Sequence, residues 1–126
     1  MSRLELIKKT NFRKQQLNIT LENIAILSDL GVRTVNRFFA GEDVKLSTVE
    51  HITNLLGLDF AGNETITLKE LRKKRAKEKA QFMASLVQGT SALEMQGLEK
   101  SSLEKIIRKF EQEFLTGAYK NRLWVA

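Results

Sequence analysis

A chain of 126 residues is long enough for one ordinary domain, or for a small domain with an appendage. It contains no cysteine and a single histidine, His51, which excludes disulfides and thiolate metal sites and leaves no histidine cluster for a metal. Lys and Arg outnumber Asp and Glu by 21 to 15, a net charge of +6 that favours polyanionic partners without specifying one.

That excess is uneven. Residues 1–60 carry 8 basic against 7 acidic side chains, whereas residues 61–126 carry 13 against 8. The stretch "KELRKKRAKEK", 69–79, alone has seven basic and two acidic residues, so the composition shift puts a boundary near 59–67 and divides the chain into 1–60 and 61–126. The segment "MSRLELIKKTNFRKQQ" lacks the apolar run of a signal peptide. No stretch approaches the roughly 18 apolar residues of a membrane span. A cytoplasmic protein without membrane contact is the expectation.

Proline is absent and apolar residues recur at helical spacing, so the chain reads as all-α. A first helix is predicted from about Arg3 to Gln16 with Leu4, Ile7 and Phe12 as its apolar face, broken by "LNIT". Thr20 suits the N-cap of a second helix carrying Leu21, Ile24 and Leu27. Asp29 tolerates the left-handed turn conformation, Leu30 tucks inward and Gly31 starts a third helix. On that third helix, at 100° per residue, Val32, Val35, Phe38 and Phe39 share one arc while Arg33, Thr34, Asn36 and Arg37 share the other. One face suits a core and the other carries hydrogen-bond donors.

After Gly41 a polar loop, "EDVK", leads to Ser47 and Glu50, the spacing of a capping box, opening a helix that Gly57 stops. "TIT", 65–67, is the one hint of an extended connector. Thr67 with Glu70 opens a long helix that Gly89 ends, and Ser101 with Glu104 opens another that Gly117 ends. In "MASLVQGTSALEMQGL", 83–98, the simplest account is two helical pieces with Leu86, Val87, Leu93 and Met95 in a small core; the sharper one is a Met-rich partner groove. Leu103, Ile106, Ile107, Phe110 and Phe114 form a stripe that must be buried against this chain, a second copy or a partner. Trp124, in the tail "GAYKNRLWVA", reads the same way.

The second-to-third helix segment resembles the lambda-repressor and Cro-like helix-turn-helix family, in which a small residue sits at the helix crossing and an apolar one follows ten positions later. Here these are Ala25 and Val35, with Ile24 before the alanine, Leu30 in the turn, Gly41 closing the third helix, and a following helix that ends in "LLGL". The resemblance covers residues 3 to 60 and implies a five-helix DNA-binding domain, followed by a helical C-terminal region. It implies base-edge contact by Val32, Arg33, Asn36 and Arg37, since arginine can fork onto guanine, asparagine pairs with adenine and valine touches a thymine methyl. Backbone contact would fall to Thr20, Leu21, Thr34 and Lys45. Leu21 stands where the family often has glutamine, and Glu42 and Asp43 occupy a loop where cations would help.

The implied function is a sequence-specific transcriptional regulator, a repressor, acting as a homodimer on an inverted repeat in double-stranded DNA. Ile106, Phe110, Phe114 and Trp124 are the expected dimer or partner contacts. The alternative is an antitoxin-like autoregulator whose residues 67–126 restrain a partner protein. A third reading is a nonspecific nucleic-acid binder using Lys73, Lys74 and Arg75, against which stands an ordinary solvated helix face. With no nucleophile-base constellation, no Gly-rich phosphate loop and no acidic cluster at metal-ligand spacing, neither an enzyme nor a cofactor is expected.

Overall fold

The computed structural model describes residues 2–90 and 100–125, with six helices and no strand among them. Helix α1 spans Arg3–Leu17, α2 Leu21–Leu27, α3 Val32–Phe39, α4 Leu46–Leu55, α5 Leu68–Thr90 and α6 Lys100–Leu115, and a 3-10 turn covers Lys120–Arg122. The chain divides into two compact units, Met1–Leu71 with Val125–Ala126, and Arg72–Trp124. The division falls inside α5, several residues beyond the composition shift.

Hydroxyl caps open three of the six helices. Ser2 accepts from the Glu5 amide at 3.2 Å, Thr20 from Asn23 at 3.1 Å and Thr67 from Glu70 at 3.1 Å, each using a hydroxyl to satisfy a first-turn donor. Helix α4 differs from the expected capping box. It starts at Leu46 behind Lys45, whose extended backbone (φ −64°, ψ 149°) makes it the N-cap without a side-chain bond. Ser47 is thus already inside the first turn.

The first four helices stop in the same way. Asn18, Asp29, Gly41 and Gly57 have φ of 55°, 55°, 84° and 71°. In each case the amide of that residue and the next turn back onto the last helical carbonyls, as in Gly57 to Asn54 at 3.2 Å and Leu58 to Thr53 at 2.8 Å. The residue after the left-handed one packs inward at three of the four ends: Ile19 and Leu58 are buried and Leu30 is half-buried. At Gly57 glycine is required twice, for its φ and because a methyl group there would lie 2.4 Å from Ile66 Cγ2.

Residues 3–60 hold four helices, α1 to α4, rather than the five expected, because the next helix, α5, begins only at Leu68; α3 lies against α1, α2 and α4. The core gathers Leu6, Leu17, Ile24, Ala25, Val35, Phe38, Ile52 and Leu56. Val32, expected on the core arc of α3, is instead 41% exposed, because it occupies the first helical position, where the arc has already left the neighbouring helices.

The face of α1 also departs from expectation: Leu4 and Phe12 are exposed, and Leu6, Thr10, Arg13 and Leu17 are buried. The cause is Arg13. Its Nε donates to the Leu56 carbonyl at 2.9 Å, its Nη1 to Glu64 Oε1 at 3.0 Å, and its Nη2 to the Ile66 carbonyl. A buried guanidinium is tolerable only with such partners. Here it ties α1 to the segment after α4, which also holds one isolated bridge between Leu58 and Glu64. Buried Thr10 satisfies its hydroxyl on the Leu6 carbonyl at 2.6 Å, one turn back.

In the second unit, Ala76, Ala80 and Ala84 form a buried stripe of small side chains on α5, and Phe114, Leu123 and Trp124 are buried with them. Two cations of α5 hold the C-terminal segment: Arg75 Nε donates to the Leu123 carbonyl and Lys79 Nζ to the Arg122 carbonyl, both at 2.9 Å. These carbonyls end the 3-10 turn, where positive charge is favoured. The Arg75 guanidinium also lies 6.0 Å from the Trp124 ring centroid, and Lys79 Nζ 5.2 Å from that of Phe114. Burial lowers the pKa of Arg75, opposed by Glu78; burial, then the charges of Arg75 and Arg122, lower that of Lys79. Helix α5 runs through Gly89 rather than stopping there, and Leu86, expected in a small core, is exposed. Leu93 and Met95, and the side chain of Val87, lie outside the described residues.

Candidate nucleic-acid interface

The outer face of α3 is built by what its inner face requires. Burying Val35 and Phe38, three apart, turns Arg33, Asn36 and Arg37 outward, and all three are exposed. Val32 joins them at the N-terminal end, and Thr34 is half-buried. The tight turn at Ser28 and Asp29, closed by Leu30 N–H to the Ala25 carbonyl at 2.8 Å, sets how α3 leaves α2. Helix α3 is short, so its position comes from packing rather than from its own stability.

Between α3 and the following loop lies an open cleft of about 650 Å³, lined by Leu30, Thr34, Arg37, Asp43, Val44, Lys45, Ser47 and Thr48. Thr34, Arg37 and Lys45 therefore converge on one space. Of the remaining residues expected at such an interface, Thr20 is exposed and Leu21 half-buried at the start of α2. The Thr20 oxygen already accepts from Asn23, which leaves its hydroxyl hydrogen available to an acceptor.

The two acidic residues of the loop are not idle. Asp43 pairs with Arg3 of α1, and Glu42 Oε2 lies 3.9 Å from Arg37 Nε. Arg37 and Glu42 are both more than half exposed, so the contact is weak and either partner can exchange it for another. Sequence reasoning missed Arg3: forty residues separate it from Asp43, and no local pattern signals the pair. It also missed that Thr48, buried on the inner side of α4, lines the cleft.

On α5, Lys73 and Lys74 are exposed, but Arg75 must be removed from the basic surface. Its side chain is 16% exposed and occupied within its own unit, because its position in the helix turns it onto the C-terminal segment. Phe114 and Trp124 likewise do not form an outer contact surface: both are covered inside the second unit, at 5% and 7% exposure. Ile106 and Phe110 remain half-buried and line a groove of about 440 Å³ with Lys109, Glu113, Ala118 and Tyr119. His51 is exposed on α4, and the described residues contain no group of three His, Cys, Asp or Glu placed to hold a metal. No helix among them is long and apolar enough to cross a membrane. Comparison with family models, with curated proteins and with solved structures found no match to this chain.

Proposed function

We propose that this chain is a sequence-specific DNA-binding regulator of transcription, with α1 to α4 forming a lambda-repressor-like helix-turn-helix domain and α3 entering the major groove. The observation that carries this is the division of α3 itself. Val35 and Phe38 are locked into the core, while Arg33, Asn36 and Arg37 are exposed on the other side, and the cleft beside them is lined by Thr34 and Lys45. A helix held by three neighbours presents its donors from a backbone already ordered, which favours base-edge reading. In this reading Arg33 and Arg37 bond base edges, with Val32 and Asn36 adding a methyl contact and an amide pair. Thr20, Thr34 and Lys45 hold phosphates on either side. Two such domains on an inverted repeat act as a repressor by occupying the site.

The test is a footprint of the purified chain on the DNA upstream of its own gene, followed by titration of the protected site. Arg33→Ala and Arg37→Ala are each expected to cost about 1–3 kcal/mol at the cognate base pair, and less on unrelated DNA. Equal weakening on every sequence would refute base reading and leave only phosphate contact. One observation favours a second reading, an antitoxin-like regulator: the half-exposed stripe of α6 suits a partner protein. Co-purification of one protein in stoichiometric amount, lost on changing Phe110, would support that alternative.

A further inference from the structure

Two features of α6 are unfavourable for a helix on its own. Its end turns run against its dipole: the first holds no acidic residue, and the last holds Glu113 and no basic one. An isolated helix is stabilised by the reverse order. Its apolar stripe is also only partly covered, since Leu103, Ile106, Ile107 and Phe110 are half-buried where Phe114 is buried.

An antiparallel copy of the same helix satisfies both. We propose that α6 pairs with α6 of a second copy of this chain across a two-fold axis, with Phe110 near the axis and Lys109 opposite Glu113 of the other copy. Ile106, Lys109, Phe110 and Glu113 fall on one helical face, three and four residues apart, and all four line the groove. Two-fold symmetry makes each such contact twice: Lys109 to Glu113 in one direction is matched by Glu113 to Lys109 in the other. Glu111 is 100° around the helix from Phe110, so the two copies of Glu111 do not face each other across the axis.

At 16 residues α6 is about 24 Å long, and a pair of such helices falls at the small end of specific interfaces, below about 1,200 Å². Association is therefore weak and concentration-dependent in free solution, and becomes strong when two half-sites on DNA hold the copies together. The pairing deepens the DNA reading, which needs two copies, but it is measurable without DNA.

The experiment is sedimentation equilibrium of the full chain across a concentration series, for the native protein, Lys109→Glu, Glu113→Lys and an equimolar mixture of these two. Each variant alone brings two like-charge pairs together and should associate about tenfold more weakly, or worse. The mixture restores both attractive pairs and should associate nearly as tightly as the native chain. Glu113 also accepts from the Ala118 amide at 3.0 Å, so far-UV circular dichroism must show intact helix, and Phe110→Asp serves as a second variant that leaves that bond alone. A native chain that stays monomeric at every concentration, variants that associate like it, or a mixture no tighter than its components would each overturn the pairing and assign the face to its own chain or to another protein. Binding to a single half-site separates the two ideas. If that binding holds while self-association is absent, the pairing alone fails; if self-association holds and no DNA is bound, the DNA reading fails.

Discussion

Replacing Arg13 by methionine removes the guanidinium while keeping a long, flexible apolar stem, and the structure sets the size of the effect. The Leu56 carbonyl is in a fully buried residue and would lose a charged donor at 2.9 Å, a loss of about 1.5–3 kcal/mol. The Ile66 carbonyl is in a half-buried residue that water can reach, so its loss is closer to about 1 kcal/mol. Glu64 is half exposed and contributes about 0–1 kcal/mol. Added burial of the methionine offsets about 1 kcal/mol. The net expectation is destabilisation by about 1.5–4 kcal/mol, a large share of the roughly 5–15 kcal/mol typical of a domain. Urea unfolding followed by far-UV circular dichroism measures it, with Arg13→Lys expected to fall between the variant and the native chain. A loss below about 1 kcal/mol would mean that the bracket is worth no more than an exposed ion pair, and that something else fixes α1 on the segment after α4.

Glu42→Gln should tighten DNA binding by a few fold, since it frees Arg37 from a 3.9 Å contact worth about 0.2–1 kcal/mol; fluorescence anisotropy on the footprinted site measures this, and weaker binding would show that Glu42 orients Arg37 instead. Lys79 carries a pH signature. Its folded pKa lies below 10.5, so between the two values the folded chain holds fewer protons than the unfolded one and this residue makes stability rise with pH. Lys79→Met should flatten that rise in denaturant titrations followed through the fluorescence of Trp124, and an unchanged slope would contradict the burial that lowers the pKa. For the basic run of α5, Lys73→Gln and Lys74→Gln should each lower the salt dependence of DNA binding by about 0.9 per phosphate contact if they touch the backbone. Arg75→Gln should leave the salt dependence alone and destabilise the fold by about 1–2 kcal/mol, through its bond to the Leu123 carbonyl.

Local rules made much of the N-terminal unit legible. Hydroxyl caps at Thr20 and Thr67, the left-handed residue at Asp29 and the stop at Gly57 are decided within a few residues, so they can be read from a short window. What escaped depends on distant partners. The acceptors of Arg13 lie 43 to 53 residues away, and without them an arginine on α1 reads as surface, pushing the apolar face onto Leu4 and Phe12. Arg75 failed for the same reason, its acceptor being 48 residues further on. Ser47 failed for a different one: the backbone of Lys45 turned extended first and started α4 before the serine could cap it. For the candidate site, the outer face of α3 followed from its period, whereas the neutralisation of Asp43 by Arg3 did not, because it joins two elements that no pattern links.

The same long-range contacts change what the net charge of +6 means. Arg13, Arg75 and Lys79 act as internal brackets on backbone carbonyls, so three of the cations counted in the composition are engaged within the fold, and Arg3 pairs with Asp43 at the surface. A uniform basic coat would bind any polyanion. Instead, the exposed cations of the N-terminal unit near the cleft reduce to Arg33, Arg37 and Lys45, and Arg37 is in partial competition with Glu42. Few phosphate contacts imply a shallow salt dependence and weak nonspecific binding for one domain. Under the proposed DNA reading, useful affinity would come from base-edge bonds made by α3 and from doubling the site through a second copy, so the proposed pairing of α6 and the proposed reading of DNA belong to one physical account.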